Sequence, residues 1–266
     1  MNAALKAELA PSRAACQGLS VRVMREACVL RCSGALWLPA HGTLVAADLH
    51  LEKGSAFAAR GQMLPPYDSS ATLDRLEAEL DTLRPARVVL LGDSFHDRKS
   101  LQRLPEGDRQ RLWRLAEHRD WVWLEGNHDR ETLDGSAGVL PGEVVETLAL
   151  GALRLTHEPE PAPRPGEVAG HLHPAATVVG HGRGVRRPCF VTDGKRLLLP
   201  AFGAFTGGLD VRDPAIASLF QTPPLIGCLG KERVHAIGWE RVGDDAPPAP
   251  AGRRSVGRSI GWGRRG

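Results

Sequence analysis

Three short apolar runs constrain this chain most, because each ends in residues suited to binding cations. Leu44-Val45-Ala46-Ala47 runs into Asp48, Val88-Val89-Leu90-Leu91 into Gly92-Asp93, and Trp121-Val122-Trp123-Leu124 into Gly126-Asn127-His128-Asp129. Apolar runs of this length bounded by turn residues read as buried strands. Helical patterns separate them. Ser69 is placed to cap a helix in which Leu73, Leu76, Leu80 and Leu83 recur at helical spacing until Pro85, and Leu112 and Leu115 mark another. Alternating strands and helices predict a largely parallel sheet, and ligand sites in such sheets gather beyond the carboxyl ends of the strands. The polar residues therefore fall on the edge where catalysis is expected.

The second half is richer in strand patterns, at 144–150, 153–156, 177–179, 189–191 and 197–199 with a turn at Gly151, which predicts a second sheet packed on the first. At 266 residues one catalytic domain is expected, spanning 1–242. Residues 243–266 combine Pro, Gly, Ala, Ser and Arg with little apolar besides Trp262, and read as a disordered tail. No apolar run approaches the roughly 18–20 residues that span a bilayer. The N-terminus carries Lys6, Glu8 and Arg13 without the apolar core of a signal peptide. Five cysteines without a Cys-x-x-Cys spacing fit neither a disulfide framework nor a zinc knuckle. A cytoplasmic protein is expected. The formal charge of +3 is more than accounted for by Arg253, Arg254, Arg258, Arg264 and Arg265, which lie in the last fourteen residues with no acid among them, so the body up to residue 252 is net acidic at −2. Composition thus shows no broad basic face of the kind that tracks long nucleic acid.

Five separated blocks carry the chemistry: Asp48-x-His50, Gly92-Asp93, Gly126-Asn127-His128-Asp129, His157 and Gly170-His171-x-His173. In an extended segment residues i and i+2 point the same way, so Asp48 and His50 are expected to grip one ion together, and His171 and His173 to approach a shared site likewise. The glycines before Asp93, Asn127 and His171 permit close backbone approach. An isolated Asp-x-His is usually chance, and a lone Gly-Asp is usually a turn; the joint order carries the inference. Two divalent ions outweigh the two carboxylates of Asp48 and Asp93, leaving positive charge to attract phosphate. Ions about 3.5–4 Å apart can hold a bridging hydroxide as nucleophile and stabilise in-line displacement. Mixed nitrogen and oxygen ligation without thiolate suits Mn, Fe or Zn.

In this order the blocks resemble the calcineurin-like metallophosphoesterase superfamily, whose pattern is D-x-H, G-D, G-N-H-[D/E], H and G-H-x-H. The resemblance implies an α/β fold, a four-layer αββα sandwich of two mixed β-sheets flanked by helices. It implies two metal ions, manganese by preference, with Asp48, His50 and His173 on one, Asn127, His157 and His171 on the other, and Asp93 bridging. It further implies that His128 contacts the phosphate or protonates the leaving oxygen; Asp129, next in sequence, is placed to orient it or to raise its pKa.

The stretch 48–68, with Lys53, Phe57, Arg60, Gly61 and Pro65-Pro66, is similar to the bacterial DNA ligase-associated metallophosphoesterases, the PdeM family. So are Gly-Asp-Ser-Phe-His-Asp at 92–97, His-Glu-Pro at 157–159, and the segments 186–194 and 199–211. This implies a phosphodiesterase or endonuclease of DNA repair, associated with an ATP-dependent DNA ligase, a helicase and an exonuclease. Lys53 and Arg60 follow the first ligands closely enough to reach a bound phosphodiester; the alternative is a solvated loop. His96 and Asp97 read as partners of the site or its substrate, or as plain loop residues. The 203–208 stretch reads as a loop beside the site or as a structural turn. Two other functions are compatible: hydrolysis of small nucleotides or phosphomonoesters, which the acidic body favours, and a docking subunit of a ligase or helicase complex.

Overall fold

The computed structural model describes residues 12–13, 18–58, 60–62, 67–127, 133, 139–180 and 183–243. Among these, the strands form two mixed sheets, of eight and ten strands. The first contains β1 (Ser12–Arg13), β2 (Leu19–Val23), β3 (Glu26–Leu30), β4 (Leu36–Leu38), β5 (Thr43–Ala46), β6 (Arg87–Leu91), β7 (Asp120–Leu124) and β8 (Glu143–Val145), in that spatial order. Strands β1 to β5 pair antiparallel and β5 to β8 parallel. Two crossovers of the parallel half carry helices. Between β5 and β6 lie α1 (Lys53–Ala58) and α2 (Asp68–Leu83), and between β6 and β7 lie α3 (Ser100–Arg103) and α4 (Glu106–Ala116).

The second sheet is built from β9 (Thr147–Leu150), β10 (Leu153–Thr156), β11 (Glu167–Ala169), β12 (Pro174–Gly180), β13 (Arg183–Thr192), β14 (Leu197–Leu198), β15 (Leu209–Asp210), β16 (Leu225–Leu229), β17 (Val234–Gly238) and β18 (Val242–Gly243). Its main path runs β15-β12-β13-β14-β11-β10-β9. The expected strand over 144–150 is divided: β8 closes the first sheet, and β9 opens the second one residue later. A continuous β pattern hides this step because both halves have the composition of a strand.

Period-two alternation explains the continuous apolar runs. Val45, Val89, Leu91, Val122 and Leu124 face the core between the sheets, while Leu44, Val88, Leu90, Trp121 and Trp123 face the helices. Strands buried on both faces have no polar side to show. On α2, Leu73, Leu76 and Leu80 are buried against that helix-facing side, each contributing about 1.5–3 kcal/mol of burial. Helix α2 ends with Arg84 in the left-handed region, just before Pro85. Ser69 does not cap it. The helix begins at Asp68, and the Ser69 hydroxyl instead donates to Glu52 Oε1 (2.8 Å) and accepts from the Glu52 backbone N–H (2.8 Å).

A third apolar cluster covers the outer face of the second sheet, where Ile216 of the one-turn helix α5 (Pro214–Ala217) joins Val211 and Phe220. The layers follow the expected αββα order, with this fourth layer reduced to a turn of helix among the described residues. Cys28, Cys189 and Cys228 are free thiols. None of the described helices is long and apolar enough to cross a membrane. The 244–266 part of the expected tail lies outside the described residues.

Candidate metal centre

The carboxyl ends of β5, β6, β10 and β11 meet at one place, and backbone hydrogen bonds lock the connecting loops together beyond the strands. The Asp48 N–H donates to Gly92 O (3.1 Å), His50 N–H to Asp93 O (3.0 Å) and Leu51 N–H to Ser94 O (2.9 Å), so the loops after β5 and β6 run side by side. From the second sheet, Phe202 N–H donates to Ala47 O (2.7 Å) and Gly203 N–H to Asp48 O (3.1 Å). The Asp48 peptide is thus clamped from both sheets. Such clamping matters because Asp48, His50, Asp93, His171 and His173 all have positive φ, from 45° to 67°. Each non-glycine residue in that region costs roughly 1–2 kcal/mol, which the surrounding structure has to hold in place. The extended geometry expected for Asp48-x-His50 and His171-x-His173 is therefore corrected. Asp48 and His50 do meet in one group, but through left-handed turns rather than strand alternation, while His171 and His173 turn to different groups.

Two groups of potential ligands result. Asp48, His50 and His173 form one, and Asp93, His157 and His171 the other, with the ligand atoms of each group within 4.8 Å of one another. In the first, His50 Nε2 and His173 Nε2 are 3.2 Å apart and His173 Nε2 lies 3.4 Å from Asp48 Oδ1. In the second, His157 Nε2 lies 3.1 Å from His171 Nδ1 and 3.5 Å from Asp93 Oδ1. Two nitrogens bound tetrahedrally to one ion at about 2.0–2.1 Å stand about 3.3 Å apart, so both spacings fit a shared cation. Asp48 is fully buried, and its Oδ1 accepts no hydrogen bond, as expected of an oxygen kept for a cation. Its other oxygen accepts the His171 backbone N–H (2.9 Å), which couples the two groups. His157 Nδ1 lies 3.2 Å from Leu91 O. A carbonyl only accepts, so this contact puts the proton on Nδ1 and leaves the Nε2 lone pair for the site. Divalent ions held here would supply Lewis acidity and an acidified water. The protein's own part is to orient the ligands and screen the buried Asp48 and His157 from solvent.

The glycines expected to allow close approach do so. A Cβ on Gly92, at φ 74°, would lie 2.2 Å from His157 Nδ1, and one on Gly126 would lie 2.1 Å from Asp93 N and 2.4 Å from Asp93 Oδ1. Gly92→Ala is therefore expected to push His157 out of place. Metal affinity, measured by titration calorimetry, should fall roughly 10–100-fold, the usual cost of disturbing the support of a ligand; unchanged affinity would contradict this placement.

The other expected site residues divide. His96 packs beside His50 with ring centroids 5.8 Å apart, and against Phe57 at 5.7 Å, so it lines the first group. Lys53 opens α1, its Nζ 6.0 Å from the Phe57 ring centre. Burial lowers its pKa, against the opposing pull of the Asp68 carboxylate. Arg60 is exposed in the turn after α1. Asp97 is committed elsewhere: both its oxygens accept from Arg103 Nη2 (2.9 Å each), and it accepts the Lys99 N–H (2.8 Å). Burial raises its pKa, but these partners outweigh that and hold it below the usual carboxylate value. Asn127 is exposed beyond β7, beside Gly126, which touches Asp93. His128 and Asp129 lie outside the described residues.

Comparison with known proteins agrees with this geometry. No protein-family model matches the sequence, and no curated protein matches it. Among solved structures, the nuclease MPE of Pseudomonas putida is similar, with 31% sequence identity, a TM-score of 0.62, and coverage of 82% of this chain and 98% of that one. The E. coli phosphoesterase Yfce aligns at 16% identity and a TM-score of 0.38, over 73% of this chain and 97% of its own. The chain belongs to the calcineurin-like metallophosphoesterase superfamily and is a metal-dependent phosphoesterase.

Proposed function

We propose that this enzyme is a phosphodiesterase that cleaves DNA as an endonuclease, with Asp48, His50 and His173 holding one ion and His157, His171 and Asn127 the other. Asp93 would bridge them, and manganese is the proposed metal. The observation that carries the reading is the pair of His/Asp groups, each with two buried members and one half-buried, coupled through Asp48, on a chain 31% identical to a nuclease. Lys53 and His96 stand on the first group's side of the site and are proposed to contact the substrate, with Arg60 reaching it from the adjoining turn. His128, followed by Asp129, is proposed as the acid for the leaving oxygen. Residues 1–242 would form the catalytic domain. A cytoplasmic role in DNA repair, beside an ATP-dependent ligase, a helicase and an exonuclease, is proposed from the family blocks of the sequence.

The test compares manganese-loaded and chelated protein on nucleotides, phosphomonoesters and single-stranded oligonucleotides of rising length. A DNA enzyme should gain about tenfold or more in kcat/KM from dinucleotide to longer strands, as each added phosphate and base adds contacts. Efficiency that is highest on mononucleotides and falls with length would replace this reading with that of a nucleotide hydrolase.

A further inference from the structure

We infer that Phe205 is a base-stacking platform beside the metal centre, so that the substrate is a strand whose unpaired base lies against this ring while its phosphate lies at the metals. The inference rests on the proposed phosphodiester hydrolysis and specifies its substrate.

Phe205 sits in the loop 203–208, whose two ends are fixed to the backbone of ligands of the first group. Gly203 N–H donates to Asp48 O (3.1 Å), and just past the other end Leu209 N–H donates to His173 O (3.0 Å). Both ends are tight: a Cβ on Gly203 would lie 2.2 Å from Leu49 O, and one on Gly208 would lie 2.6 Å from His173 O. Side chains inside and outside the loop brace it further. Thr72 Oγ1 accepts the Ala204 N–H (3.0 Å), the Thr206 hydroxyl donates to Gly203 O (2.9 Å), and Arg186 Nη2 donates to Gly208 O (2.6 Å). A structural turn would need no aromatic at its tip, yet Phe205 is 52% exposed there. Its backbone is left-handed, with φ 58°, a conformation that glycine adopts freely and a bulky aromatic does not.

An exposed aromatic held in a strained conformation calls for a purpose other than packing, because burial of Phe202 next to Ala201 already anchors the segment. Two residues of chain span at most about 7 Å, so Phe205 stays close to Gly203 and hence to the Asp48 carbonyl. That is the neighbourhood of a base flanking a phosphate bound at the first group. Aromatic rings stack on any base, which makes the contact independent of sequence and dependent on the base being unstacked from its own strand. The composition, net −2 over residues 1–252, shows no excess of basic charge, which is consistent with a substrate held by stacking and metals rather than by a long electrostatic track.

The test uses Phe205→Gly and Phe205→Tyr in the full chain, with a single-stranded oligonucleotide and an all-abasic strand of equal length. Cleavage is measured with manganese, and binding by fluorescence anisotropy with chelator present so that both strands stay intact. The wild type should prefer the base-bearing strand. Phe205→Gly should lose about 5- to 100-fold on that strand and little on the abasic one, without a lower thermal midpoint, since glycine accepts this φ. Phe205→Tyr should keep the preference. A wild type without the preference, or a glycine variant that keeps it or loses equally on both strands, would overturn the inference. Base-dependent binding without cleavage of either strand would uphold it and sink the hydrolysis reading instead.

Discussion

Asp48→Asn is expected to leave the metal-free protein at least as stable as the wild type and to abolish the stabilisation that metal confers. The wild-type carboxylate is fully buried, with one oxygen accepting the His171 N–H at 2.9 Å and the other accepting no hydrogen bond. Confining a negative charge there without its cation is costly. Asparagine keeps the oxygen that accepts from His171 and places an N–H group near His173 Nε2, which in the wild type stands 3.4 Å from the free oxygen. The folded apo state then gains a donor and loses a buried charge. Metal binding loses its charged ligand. Saturating metal at about 100 times its Kd stabilises a folded protein by about 2.7 kcal/mol, and this increment should shrink towards zero in the variant. Metal ions at phosphoryl centres supply several kcal/mol of transition-state stabilisation, so hydrolysis should fall by about three orders of magnitude. Calorimetric melting with and without manganese, together with initial rates, reads all three effects. A variant that still melts higher with manganese and cleaves at the wild-type rate would remove Asp48 from the site.

Asp48 and Asp93 stood out before the fold because they follow short, doubly buried strands, and such strands announce themselves as unbroken apolar runs. The conformation of the ligands was not legible. Nothing in Asp48-Leu49-His50 or His171-Leu172-His173 reports a left-handed backbone, since Asp and His carry no local signal as strong as glycine does. Bonds with Gly92, Asp93 and Gly203 hold the Asp48 and His50 turns, and Asp48 Oδ2 and the Leu209 N–H hold those of His171 and His173, and these are contacts between elements distant in sequence. The antiparallel strands β2 to β4 were missed for a different reason. Their pattern is half-buried, with Arg22 exposed between buried Val21 and Val23, so no continuous run marks them. Phe205 was legible only as part of a loop. Its exposure and backbone conformation set it apart, and neither is written in composition or spacing.

Glu167→Ala should destabilise the protein more than any surface change, although no sequence pattern singles out this glutamate. Glu167 begins β11, fully buried, with Oε2 2.7 Å from Arg196 Nε and Oε1 accepting the Glu160 N–H at 3.0 Å. Arg196, 3% exposed, also donates from Nη2 to Glu160 O (2.8 Å) and Ala162 O (2.7 Å), and from Nη1 to Leu219 O (3.1 Å). The pair therefore ties the segment after His157 to the strand that leads to His171. Burial raises the Glu167 pKa, opposed by the Glu160 N–H and by the Arg196 charge, which shows how much the carboxylate depends on its partners. Truncation leaves the guanidinium buried and uncompensated, a loss of about 3–5 kcal/mol against a total stability on the order of 5–15 kcal/mol. Denaturant unfolding should show a much lower midpoint with a similar slope. Replacing both residues with apolar side chains of matching volume should recover much of the loss, because the pair costs desolvation as well as contributing attraction. If Glu167→Ala unfolds at the wild-type midpoint, the two histidine-bearing segments are held by the strands alone.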